Sequence, residues 1–248
     1  MSAVAVPLGG SRLAAFNPAA KLAAAAAVLA GLLVTADLVT ASIVLGAELV
    51  ALPLAGIRAR VLATRAWPLP LAAAGVAVAN LLGSSAGAAT IAGVSLRLLA
   101  IALPGILVFA TTEPVDLADS LVQQLRVPAR FAYGSLAAIG LLPLLAVDWA
   151  TIRRARRARG IDAGHSPLAA MRLFASAVFA LLVAAIRRAT RLAAAMDSRG
   201  FDSRRPRTAA RRQRFRAADA ALVAVTVAVV ATANGAALAA GTWHPLLG

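Results

Sequence analysis

The feature that most constrains this chain is the length of its uncharged apolar stretches. No Asp, Glu, Lys or Arg occurs from Ala66 to Leu96, and none from Ala220 to Gly248. From Leu22 to Ile57 only Asp37 and Glu48 interrupt the apolar sequence. A helix needs about 20 consecutive, mostly apolar residues to cross a bilayer. Hydrocarbon offers the backbone no hydrogen-bond partners, so a segment buried there satisfies itself as a helix. Composition agrees. The chain is 61% hydrophobic and 14% charged, whereas soluble domains carry about 45–50% and roughly 25%. The fold expected is an all-α integral membrane protein.

Five spans are expected, at about 20–36, 39–57, 68–83, 89–110 and 218–240. Turn chemistry near Thr35-Ala36-Asp37 and in Asn80–Gly87 divides the longer stretches. The first apolar run reads as a retained span rather than a cleaved signal. Two further runs, Phe131–Val147 and Leu173–Ile186, are bracketed by arginines. Their length suits buried or interfacial helices better than spans, and the count rises if they cross. Basic loops stay in the cytoplasm. The net charge is +15, and most of the basic residues lie between Arg153 and Arg216. That block and the loop with Arg58, Arg60 and Arg65 are therefore expected inside, with the N-terminus inside and the C-terminus outside. Three regions follow: N-terminal membrane helices over 15–110, a cytoplasmic-side helical domain over 111–215, and a C-terminal membrane helix and tail over 216–248. Arg97 lies within an apolar helix, where it either snorkels or pairs with Asp37 or Glu48.

The basic block writes one charged phrase twice: Ala158-Arg159-Gly160-Ile161-Asp162 and Ser198-Arg199-Gly200-Phe201-Asp202. Residues 152–159 and 192–199 hold no helix breaker and are rich in good helix formers. Gly160 and Gly200 are suited to the left-handed position just past a helix end, with Ile161 and Phe201 packing back on the last turn. Each arginine then projects from a rigid end, behind a small residue that lets another backbone come close. Its guanidinium is a fork of donors for carboxylates or carbonyls. One such arginine reads as a charge on a helix dipole. Two with the same context read as paired docking knobs, made of Ala158, Arg159, Gly160 and of Ser198, Arg199, Gly200.

Other chemistries find little support. The chain has no cysteine, so disulfides and thiolate metal sites are excluded. His165 and His244 are isolated. No paired carboxylates, Ser–His arrangement or glycine-rich loop leading to Lys21 appears, so no catalytic site, cofactor or phosphate-binding loop is expected. The basic block lacks the interleaved aromatics of a nucleic-acid surface. Its Arg204–Arg216 end would suit a lipid surface, leaving a membrane-anchored assembly protein as the alternative function. A permease that binds its own substrate would need more polar groups in the spans.

The paired motifs resemble those of the T components of energy-coupling factor transporters, vitamin and metal-ion importers of the ABC class. Asn17-Pro18-Ala19-Ala20-Lys21 resembles that family's Asp-Pro-x-x-Lys entry, and Thr111–Ala118 its Thr-Thr-x-Pro-x-Asp-Leu segment. Leu142–Leu145 and Asp148 resemble its approach to the first motif. Asn17, Asp148 and Ser198 depart mildly from the pattern. The resemblance implies a non-catalytic scaffold in the plasma membrane. Such a scaffold joins two ATP-binding cassette ATPases, alike or different, to a membrane-embedded substrate-binding S component. It implies one ATPase each for Arg159 and Arg199.

Overall fold

The computed structural model describes residues 11–35, 37–56, 63–64, 66–83, 87–161, 164, 166–201 and 209–242. Ala36, Arg58, Arg60, Arg65, Asp162, His165, Asp202 and His244, all read above, lie outside that set, as do Ser84–Ala86 and 204–207. After a short 3-10 helix, Arg12–Ala15, the helices are α1 (Pro18–Val34), α2 (Leu38–Leu54), α3 (Pro68–Gly83), α4 (Ala88–Thr111), α5 (Pro114–Gln123), α6 (Ala129–Ala158), α7 (Pro167–Ser198) and α8 (Ala217–Ala239). The protein is an all-α, multi-pass membrane protein. By length and composition α4, α6, α7 and α8 can each cross a bilayer, and α1, α2 and α3 are shorter apolar helices.

The chain forms two compact units. Of the described residues, the larger comprises those of 11–126 and 212–242, and the smaller those of 127–211. In the larger unit α1 and α2 pack against α4 and α8, α3 lies on α4, and α5 touches α1. Val28, Leu32, Val44, Ala100, Val230 and Ala233 form its core. Two glycines let backbones close up. A Cβ on Gly31 would collide with Val230 Cγ1, and one on Gly93 would sit 3.2 Å from the Leu38 nitrogen. Small residues at a helix crossing are the usual route to tight packing in lipid, where little hydrophobic force drives helices together.

The interruption at Asp37 is a helix boundary. Thr35 ends α1 and Asp37 caps α2. Its Oδ2 accepts from the Thr40 backbone at 2.8 Å and from the Thr40 hydroxyl at 3.0 Å. Its Oδ1 is buried without a hydrogen-bond partner, and among the described residues no ion pair joins Asp37 or Glu48 to Arg97, one turn beyond Gly93 on α4. Glu48 instead buries both carboxylate oxygens without a hydrogen-bond partner, on the wall of an apolar cavity of about 140 Å³.

In the smaller unit α6 and α7 pack against each other. Trp149 meets Phe174 edge-on at 5.6 Å, Arg188 Nη1 donates to Asp148 at 2.9 Å, and Tyr133 meets Phe201 at 6.3 Å. These pairs make the two helices an antiparallel hairpin. The apolar runs 131–147 and 173–186 are thus parts of helices of 30 and 32 residues. The helices outlast the runs because the flanking Ala and Arg propagate a helix as well as Leu does.

Candidate functional site: capped arginine ends and a buried polar cluster

Both arginine motifs close their helices in one way. Arg159 ends α6 at φ −91°, ψ 7°. Arg199 ends α7 at φ −90°, ψ 9°. The glycines that follow are left-handed, Gly160 at φ 69° and Gly200 at φ 75°. Gly160 N–H donates to Arg157 O at 3.0 Å and Ile161 N–H to Arg156 O at 3.0 Å. Gly200 N–H donates to Asp197 O at 2.9 Å and Phe201 N–H to Met196 O at 3.0 Å. Each is a Schellman cap, which needs a residue tolerant of positive φ at the glycine. Ala158 and Ser198 stand one residue before the arginines and are exposed, and Ser198 turns its hydroxyl back onto Ala195 O at 2.9 Å.

The structure does not bring the two motifs together. The hairpin puts Arg159 beside the α6–α7 turn and Arg199 next to the start of α6, where Phe201 meets Tyr133. At 1.5 Å of rise per residue the helix between Tyr133 and Arg159 spans roughly 40 Å. Both arginines are exposed. Among the described residues neither guanidinium makes a hydrogen bond or an ion pair.

The other sequence landmarks do converge, in the larger unit. Lys21 is buried at the start of α1. Its ammonium donates to Thr111 O at 3.0 Å, a carbonyl that the end of α4 leaves open, and to the Thr112 hydroxyl Oγ1 at 3.4 Å. Asp116 and Asp219 act on it electrostatically. Asp219, buried in the first turn of α8, accepts from the Asn17 backbone through Oδ1 and from the Arg216 backbone through Oδ2, each at 2.7 Å. Asn17 caps α1 by accepting from Ala19 N–H at 2.9 Å, while its amide donates to Arg214 O at 3.3 Å. An aspartate there would lack that donor. Gln213 ties in α5: its amide donates to Asp116 Oδ1 at 3.1 Å and its backbone N–H to Gln123 Oε1 at 2.9 Å. Gln124 donates to Gln213 O at 3.2 Å. A cavity of about 220 Å³ opens among these groups.

Asp219, Gln213 and Gln123 are participants that sequence reasoning missed. Asp219 had a local signal, an acid in the first turn of a helix, where it favours the dipole. Nothing local points from it to Asn17.

Residues 8–209, which include Asn17, Lys21, Thr111, Thr112 and both arginine motifs, match a known family model, the cobalt transport protein family CbiQ. The chain belongs to this family. Its similar relatives include the energy-coupling factor transporter transmembrane protein EcfT of Limosilactobacillus fermentum, 32% identical over 141 residues, covering 54% of this chain and 53% of that protein. EcfT of Exiguobacterium sibiricum is 31% identical over 144 residues, 55% of each chain. EcfT of Lactococcus lactis is 33% identical over 122 residues, 46% of each. The chain thus spans about half the length of the curated relatives it matches.

Proposed function

We propose that this chain is the T component of an energy-coupling factor importer. It would join two cytoplasmic ATPases to a membrane-embedded substrate-binding S component that takes up a vitamin or metal ion. It hydrolyses no ATP itself, and 127–211, with Arg159 and Arg199 at its ends, is the cytoplasmic coupling arm. The observation that carries this reading is the duplication of one rigid cap at two separated helix ends. Two ATPase subunits need two equivalent contacts, and a capped helix end passes on displacement rather than absorbing it. Each ATPase groove would hold one guanidinium by charge-assisted hydrogen bonds. Closure of the ATPase pair on ATP would move the two ends relative to each other, which is the differential contact that any such coupling requires. The segments leading to and from the arm are tied together through Gln123, Gln124 and Gln213, which supports the transfer of that motion to the membrane helices.

Co-purification with the ATPases tests the reading. Removing one member of a buried charged pair costs about 2–5 kcal/mol, and two linked contacts reinforce each other. Arg159→Ala or Arg199→Ala should each weaken recovery of the ATPases and substrate uptake, and the double variant should nearly abolish both. Arg172→Ala and Arg191→Ala, exposed on the same hairpin, should change little. Equal losses from all four would defeat docking by the motifs and favour a diffuse basic patch.

A further inference from the structure

A groove of about 430 Å³ runs along the α6–α7 hairpin. Its α6 wall is a stripe at helical spacing: Trp149, Arg153 and Arg157, three positions that share one face. Its α7 wall is Leu173, Phe174 and the buried Ala177. Arg156 fastens the two walls, donating through Nη1 to Leu173 O at 2.6 Å and to Ser176 Oγ at 2.9 Å. Arg153 and Arg157 are exposed, and among the described residues they hold no hydrogen bond or ion pair. The basic end therefore carries two cations unclaimed within the hairpin, while its floor is aromatic and aliphatic.

Away from the arginines the apolar surface continues. Leu142, Leu144 and Val147 of α6 are exposed, as are Phe179, Leu182 and Ile186 of α7. Trp149 stands where the apolar part of α6 gives way to arginine, the position an indole takes at a membrane–water boundary. An occupant matching all of this has a phosphate anion at one end and a hydrocarbon tail at the other. We propose that the groove binds an anionic phospholipid, its phosphate between Arg153 and Arg157 and its acyl chain over Phe174. The proposal needs the apolar faces of the α6–α7 hairpin to reach the bilayer, which an arm lying along the cytoplasmic membrane surface also does, and its test does not depend on ATPase docking. It has a consequence for docking. Ile161, the residue that closes the first cap, also lines the groove, so a bound lipid braces the end that presents Arg159.

Trp149 reports on the site. With Trp67 and Trp243 replaced by Phe, the full chain is reconstituted into phosphatidylcholine vesicles. These contain a fixed share of acyl-brominated phosphatidylglycerol or of acyl-brominated phosphatidylcholine. Two arginines enrich an anionic lipid by about thirtyfold at most, so the brominated phosphatidylglycerol should quench Trp149 at least about twofold more strongly. Arg153→Gln with Arg157→Gln should remove the difference, Arg172→Gln should not, and added inorganic phosphate should leave it in place. Native mass spectrometry supplies a second measure on the unsubstituted chain, which should retain phosphatidylglycerol over phosphatidylcholine. Equal quenching by the two lipids, or no preferential retention, overturns the proposal. So does a difference that inorganic phosphate cancels, since the groove then reads phosphate alone. Equal quenching with Arg153 and Arg157 still needed for ATPase recovery would assign the groove to a protein contact instead.

Discussion

Asp219 shows how much one side chain can hold. Its two oxygens each accept a backbone N–H, one at the entry to α1 and one at the entry to its own helix, and Lys21 lies within its field. A hydrogen bond to a charged group contributes about 1.5–3 kcal/mol. Asp219→Ala should therefore lower stability by a few kcal/mol and separate α1 from α8, read as a drop in melting temperature of the detergent-solubilised chain. Asp219→Asn keeps one acceptor and should fall between. The cap glycines make a smaller demand. Gly160→Ala or Gly200→Ala puts a Cβ in the left-handed region at a cost of about 1–2 kcal/mol. Open space surrounds the Gly160 position, so the loss there is conformational and not steric. Each should weaken ATPase recovery with the arginine still present, and Gly160→Asn should do so less, because Asn tolerates that region better. Full recovery with the alanine variants would show that the capped geometry is not needed.

Among the helices, closeness of approach is what the sequence sets at Gly31. A methyl there meets Val230 Cγ1, so the Val230 side chain or the α8 backbone has to shift. Gly31→Ala should cost about 1–3 kcal/mol, as overpacking does, and Val230→Ala added to it should return part of the loss. Thermal unfolding of the single and double variants measures this, and simple additivity would argue against the contact. The hairpin is another matter of element length. Its apolar runs taken alone look too short to cross a bilayer, yet the helices that contain them are long enough. If 127–211 is a cytoplasmic arm, both ends of α6 lie on one side. The chain has no cysteine, so Val127→Cys and Ser166→Cys are each unique labels. A membrane-impermeant maleimide should reach both from the cytoplasmic face only. Labelling from opposite faces would place α6 across the membrane.

At the scale of the molecule, the chain divides into two compact units, and if the proposed coupling role holds, 127–211 is the part that passes motion on. The C-terminus is expected outside, since five crossings starting from an inside N-terminus end there. Two further crossings by α6 and α7 would leave it outside as well. The cysteine pair thus resolves what a C-terminal reporter cannot.

The sequence by itself determined the apolar helices α1 to α4 and α8 of the larger unit, the membrane character of the chain and both arginine caps. Those properties arise from runs and from hydrogen bonds that reach only a few residues, so Gly160 and Gly200 announce their caps locally. It also carried the family landmarks at 17–21 and 111–118 as separate phrases. Only the tertiary structure decided that these phrases meet, and that Asp219 and Gln213 complete them. Asn17 and Asp219 are joined by a bond across 202 positions of the chain, and no local pattern encodes such a contact. The orphaned oxygens of Glu48 belong to the same class. The distance between the two arginines was likewise hidden, because it depends on α7 folding back along α6 as a side-chain-matched antiparallel pair.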